Sequence, residues 1–421
     1  MYYTYLNQDK QLNKCTKLGW LEFAIIVFFS AHYILPSFDA MLPDIIILVA
    51  KIGYILYVCG LQPKRTGYIL LCFAIFVYLG IIYALLTDTA TIDTSLANYK
   101  LLSIYSKFTQ YFDMFFPFIL TFRIAECNDS KKKKWLLAII SLMIVYVIYV
   151  TIREIEINPN VTRSWSGFSE SSKNNIASYY FVYAIPIVIS LLVISFNKCK
   201  SFLLKIAIIL LIVYSFYFLL KAQYTLALLI AVIGVAMGFI KSTKSNVTKF
   251  IVIIATAVLM VFMSDILSFV ASKIESRQMA IRFKELADFF TRGDATGYNL
   301  GGRLKLYWKS ILAFLASPVW GNRRLDFDGH ATFLTILSDT GIIGGIPFYY
   351  LYFSMKKQIS QAIGDNENLF IVPFIMLVLM GLTNPIHAAY PVGFTVWFVV
   401  PLIIMIVNEN KKVELGGMEN E

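Results

Sequence analysis

Residues 131–152 read KKKKWLLAIISLMIVYVIYVTI, four lysines followed by eighteen residues without a charge. As a helix rising about 1.5 Å per residue, such a run is long enough to cross the hydrocarbon core of a bilayer. The lysines in front of it assign a side, because cytoplasmic connections collect Lys and Arg. The whole chain shares this character. Of its 421 residues, 58% are drawn from AVILMFWYC and only 15% are charged, where about 25% is usual in soluble proteins. That leaves too little polar surface to solvate a globule of this size, and it excludes a disordered or nucleic-acid-binding chain. The net charge of +11 therefore has to be read from where the charges sit.

Further apolar stretches fall at 18–35, 43–61, 67–87, 108–126, 179–196, 202–220, 224–240, 250–270, 331–354, 369–386 and 391–408. With 135–152 they make about twelve spans, so an all-α polytopic bundle forming one integral membrane domain over 1–421 is expected. If the amino terminus is inside, alternate connections carry 18 basic residues: Lys10, Lys14, Lys17, Lys64, Arg65, Lys131 to Lys134, Lys198, Lys200, Lys241, Lys244, Lys249, Lys356, Lys357, Lys411 and Lys412. The short connections on the other side hold only Lys100, Lys107, Arg153, Arg163, Lys173 and Lys221. The asymmetry places both termini in the cytoplasm. The opening MYYTYLNQDKQLNKCTK is polar for too long to be a cleavable signal, so span one is expected to stay as an anchor. The tail 409–421 is polar and expected to be mobile. Five cysteines, at 15, 59, 72, 127 and 199, show no CxxC spacing, and neither disulfides nor a thiolate metal site is expected.

Two outer segments, 153–178 and 271–330, are longer than a connector between neighbouring helices needs. In KIESRQMAIRFKELADFFTR (273–292), Met279, Phe283, Leu286 and Phe290 recur at helical spacing, which predicts a helix lying on the outer interface. A second helical segment, LKLYWKSILAFLA at 304–316, should end at Ser317-Pro318, because proline lacks a donor and restricts its predecessor. The loop 271–330 carries ten Lys or Arg against six Asp or Glu. A net basic outer loop runs against the positive-inside trend and suits an anionic ligand such as a lipid phosphate or diphosphate. A solvated basic face against headgroups explains the same charges.

The three histidines, His32, His330 and His387, lie at or near the outer ends of spans. His330 follows Asp326-Phe327-Asp328-Gly329 and opens span ten. A helix N-terminus there favours the neutral imidazole, the form able to accept a proton as a general base. His32 and His387 read as ordinary interfacial residues. Asp326 and Asp328 resemble a metal-holding carboxylate pair, but ion pairing with Arg323 and Arg324 explains them equally well, and no ligand spacing supports zinc. No metal is expected. Lys51, Asp113 and Asp339 sit inside spans, where ionisable groups line a path, pair with one another or snorkel to a headgroup.

Residues 301–347, GGRLKLYWKSILAFLASPVWGNRRLDFDGHATFLTILSDTGIIGGIP, resemble the signature region of the bacterial O-antigen polymerase and O-antigen ligase superfamily. Arg303 with Trp308 is similar to the family's Arg followed by Trp, Pro318 with Gly321 to its P-x-x-G turn, and Gly329-His330 to its essential histidine at a span entrance. Gly341 and Gly344-Gly345 match the small-residue stretch that follows. RSWSGFSESSKNNIASYY at 163–180 resembles the outer loop rich in Arg, Gly and Asn. Together these elements cover about 65 of the 421 residues. One departure is that the family's Ser-Arg pair near the start of span eight is replaced by Lys221-Ala222-Gln223-Tyr224.

The resemblance implies a glycosyltransferase at the outer leaflet of the bacterial inner membrane, using a glycan carried on undecaprenyl diphosphate with no nucleotide donor, metal or other cofactor. Arg163 and Arg303 are then the diphosphate ligands, joined by Arg323, Arg324 and Lys221, and His330 is the catalytic base. The implied partners are the undecaprenyl-diphosphate-linked oligosaccharide, the bilayer, a chain-length regulator and a flippase. His330-Ala331-Thr332-Phe333 resembles the H-S/A-T-F pattern of polymerases, whereas ligases usually show His-Asn. A ligase acting on lipid A-core is the neighbouring alternative. A polytopic transporter of glycolipid or sugar is the alternative of another class.

Overall fold

The computed structural model describes residues 17–86, 96–158, 161–162, 174–273, 277–292, 300–322, 331–364, 367–384, 386 and 389–418. In chain order the helices are α1 (Trp20–Ile34), α2 (Pro36–Met41), α3 (Asp44–Leu61), α4 (Pro63–Leu86), α5 (Leu96–Glu126) and α6 (Ser130–Ile157). Then come α7 (Tyr179–Lys198), α8 (Phe202–Ala222), α9 (Thr225–Ser242), α10 (Asn246–Val261), α11 (Met263–Lys273), α12 (Arg277–Arg292) and α13 (Leu300–Ala316). The last are α14 (Thr332–Ile363), α15 (Ile371–Thr383), α16 (Tyr390–Phe394) and, after a π turn at Thr395–Val399, α17 (Val400–Met418). No strand occurs among the described residues.

Each of the twelve apolar stretches is helical over most of its length. Six helices are long and apolar enough to cross a membrane: Asp44–Leu61, Pro63–Ile82, Ser130–Ile157, Tyr179–Lys198, Phe202–Ala222 and Tyr390–Glu409. Counting α10 and α11 as one bent span gives seven. Trp20–Ile34, Leu226–Ser242 and Ile371–Thr383 are apolar but shorter. The chain is thus an all-helical protein of the membrane-spanning kind. Its outside agrees, since Ile45, Leu56, Leu70, Leu142, Leu210, Val213 and Phe250 remain exposed. In water so many bare apolar side chains would drive association, whereas in a bilayer they meet lipid.

Three local expectations change. The stretch 250–270 is not one straight helix, because α10 and α11 bend by 60° around Phe262. Past the bend, Met263 and Leu267 pack on Phe283 and Ala287 of α12, and the Ser264 hydroxyl donates to the Ala287 carbonyl at 3.1 Å. The amphipathic helix expected near 273–292 exists as α12, and its Phe283, Leu286 and Ala287 pack against α11. At the carboxyl end α17 runs to Met418, beyond the polar boundary at 409, and the Lys133–Glu409 pair at 2.5 Å anchors its outgoing turn.

The core lies around α5, α7 and the α16–α17 segment. Trp397 is fully buried, with Tyr352, Phe370 and Phe374 at ring-centroid distances of 6.0–6.2 Å. Pro117 lies inside α5, and one turn later the Thr121 hydroxyl reaches across to the Trp397 carbonyl. Helix starts follow local chemistry: Asp129, Ser178 and Ser201 accept from the backbone N–H of Lys132, Phe181 and Leu204, which cap α6, α7 and α8.

Helix ends gather into two groups. At one end the Lys132 ammonium bonds the Leu18 carbonyl, Lys133 pairs with Glu409, and Asn408 donates to the Ile363 carbonyl at 3.0 Å. At the other end Ser37 bonds Asn175 at 2.6 Å, Ala177 donates to Thr151 at 2.7 Å, and the starts of α7 and α14 meet the ends of α8 and α15.

Candidate functional site

That second end is organised around Asn384, which follows α15 and is fully buried. Its carbonyl accepts from both the backbone N–H and the hydroxyl of Thr332, at 3.1 and 3.0 Å. The Thr332 hydroxyl accepts in turn from the Ile386 N–H at 2.6 Å. The Asn384 Oδ1 accepts from the Tyr179 hydroxyl at 2.9 Å. Tyr179 stands edge-on to Tyr224 at 5.5 Å, and the Tyr224 hydroxyl donates to the Thr162 carbonyl at 2.9 Å. The Tyr307 hydroxyl of α13 donates to the Thr383 carbonyl at 2.9 Å. This network ties together six separate parts of the chain.

Of the residues singled out in the sequence, Arg163, Arg323, Arg324 and His330 lie outside the described residues, as do Asp326, Asp328 and His387. Arg303 lies in α13 one turn before Tyr307, with its side chain outside the described set. Lys221 is half-buried in the last turn of α8, its ammonium 5.6 Å from the Tyr217 ring. Gln223 then takes a left-handed conformation, φ 62°, which turns the chain into Tyr224. Described neighbours of four of these residues therefore belong to the network: Thr162 beside Arg163, Tyr224 after Lys221, Tyr307 after Arg303, and Thr332 just beyond His330.

Gly321 and Gly341 stabilise the approach to α14. Both have positive φ, 74° and 60°. A Cβ on Gly321 would collide with the Asp339 carbonyl, and one on Gly341 with the Val319 carbonyl. With no side chains between them the two backbones cross, Asn322 donating to Ser338 at 2.6 Å and Ile342 to Pro318 at 2.8 Å. Helix α13 ends at Ala316, directly before Ser317-Pro318 as expected, and the P-x-x-G turn docks on the kink of α14.

Two buried ionic clusters lie away from this network. Lys51, 1% exposed, donates to Asp113 at 2.6 Å and approaches the His32 Nε2 at 3.0 Å. Lys51 and Asp113, expected to pair or to line a path, do pair with each other, while Asp339 accepts from Ser338 elsewhere. His32, read from sequence as interfacial, is instead buried in this cluster. Toward the Lys133 end, Arg123 grips Glu22 through two nitrogens at 2.5 and 2.7 Å and reaches the Cys127 Sγ at 2.7 Å. This pair was not singled out in the sequence, although an acid and a base isolated in apolar stretches are a signal that could have found it. Tyr179, Asn384 and Thr332 carried no such signal, being common types whose partners are distant in sequence.

Cys59, Cys72, Cys127 and Cys199 are free thiols. Among the described residues no three His, Cys, Asp or Glu are placed to hold a metal. No family model matches the chain, and no curated protein matches it.

Proposed function

We propose that the chain is a polymerase of O-antigen or a related surface polysaccharide in the bacterial inner membrane, crossing it about twelve times with both termini cytoplasmic. It transfers the growing glycan from undecaprenyl diphosphate to a lipid-linked repeat unit at the outer face. The observation that carries this reading is the Asn384 network, which joins residues one to four positions from Arg163, Lys221, Arg303 and His330, themselves up to 167 positions apart in sequence. The topology is supported by which ends touch: alternating crossings put the starts of spans one and five and the ends of ten and twelve on one side, as the Leu18, Lys132, Ile363 and Asn408 contacts require.

In the reaction the acceptor hydroxyl oxygen forms a bond to the donor's anomeric carbon while that carbon's bond to the diphosphate oxygen breaks. The hydroxyl proton passes to the neutral imidazole of His330. Undecaprenyl diphosphate leaves with its electron pair, and Arg163 and Arg303 stabilise the charge because a guanidinium is planar, always charged and able to hold two phosphate oxygens. Arg323, Arg324 and Lys221 add cationic field around it. Both long outer loops thus serve one leaving group. A deletion strain read on a lipopolysaccharide gel tests this: loss of the ladder with a single repeat unit retained supports polymerase, loss of every unit means ligase, and an unchanged glycan rejects both.

A further inference from the structure

The Lys51–Asp113–His32 cluster opens into a cavity of about 170 Å³ lined also by Asp44, Thr109 and Tyr390. Lys51 is saturated, since it holds Asp113 and His32 and lies 4.7 Å from the centroid of the Tyr33 ring. Asp113 is not. Its Oδ1 takes the ammonium, but its side chain keeps 31% of its surface accessible against 1% for Lys51. The cavity is therefore offered a carboxylate oxygen from α5, and a second carboxylate, Asp44, stands exposed in the first turn of α3. The lining is also aromatic, the Tyr390 ring lying nearly parallel to the His32 ring, 12° apart at 6.3 Å.

We propose that this cavity is a binding subsite for a neutral sugar ring. Two carboxylates facing one already neutralised lysine make the pocket net negative, which repels a phosphate and leaves the diphosphate to the basic loops. Sugar hydroxyls are donors that carboxylate oxygens accept strongly, and a ring face packs on tyrosine. The volume exceeds that of single waters several times. Tyr390 lies six residues from Asn384, at most about 22 Å even for extended chain, so a glycan a few rings long reaches from the network into the cavity. The subsite rests on the glycan-transfer reading only for what carries the sugar.

The test is ligand-observed saturation-transfer NMR on the full-length protein in detergent, with free glucose, galactose, N-acetylglucosamine and rhamnose as probes. At least one should bind, and Asp44→Ala, a change at an exposed position, should weaken it about tenfold. Asp113→Asn should do the same in protein whose melting is checked in parallel. No binding by any of the four, equal binding in Asp44→Ala, or a response to choline in place of the sugars would overturn the proposal. Sugar binding with these sensitivities in a protein that fails to polymerise would uphold the subsite and defeat only the transfer reading.

Discussion

Gly341 shows how one residue type sets the geometry of the candidate site. Its φ of 60° and the Val319 carbonyl beside it exclude any side chain. Gly341→Ala should lower stability by about 2 kcal/mol or more, from the strained backbone and the collision together. Gly53, in the interior of α3 with nothing near the place of a Cβ, is the control, and Gly53→Ala should be neutral or stabilising by about 0.5–1 kcal/mol. Thermal unfolding in detergent compares them, and equal melting points would show that the backbone crossing is not needed. The Glu22–Arg123 pair gives a second residue-scale prediction. Glu22→Ala leaves a buried guanidinium uncompensated and should cost about 3–5 kcal/mol, whereas Glu22→Leu with Arg123→Met should recover most of it. A double variant as unstable as the single one would mean that the pair contributes more than mutual neutralisation.

At the scale of elements, helix positions were legible because lipid-facing helices must be apolar over their whole length, and 135–152 shows this without any tertiary information. The break at Phe262 was not legible: nothing in 250–270 is a proline or glycine, and the bend follows from α12 covering Met263 and Leu267. The extension of α17 was hidden for the same reason, its outgoing turn being held by Lys133, 276 residues away. Local caps were partly legible. Asp129 before α6 accepts from the Lys132 N–H at 3.1 Å, and that bond, then the Lys132 ammonium, holds its carboxyl below the usual range. A lowered folded value means stabilisation present in full above about pH 4 and lost as pH falls through the folded value. Asp129→Ala should therefore destabilise by about 1 kcal/mol at neutral pH, and the gap to the unsubstituted protein should narrow as the pH drops below about 4. Melting curves at both pH values check this, and a gap independent of pH would reduce the cap to packing.

For the whole molecule, charge asymmetry predicts sidedness more firmly than helix ends do. Cysteines placed at Ser169 and Ser276 should react with impermeant reagents from outside intact cells and one at Ser245 should not, while reversed labelling would move both long loops to the cytoplasm. The charged residues proposed for the site are conspicuous in the sequence, because arginines and a histidine stand out in long polar connections. Its neutral scaffold of Asn384, Thr332, Tyr179 and Tyr224 became visible only once distant helix ends met. The central proposal is that His330, with Arg163 and Arg303, transfers a glycan between lipid diphosphates by base catalysis. The most direct measurement is extension of undecaprenyl-diphosphate-linked repeat units by purified protein in a chelating buffer, comparing the unsubstituted chain with His330→Gln and Arg303→Ala. The account predicts chains of many units from the first and a loss of at least about a hundredfold in rate from each variant. Full extension by His330→Gln, or no extension by the unsubstituted protein until a divalent metal is supplied, would contradict it.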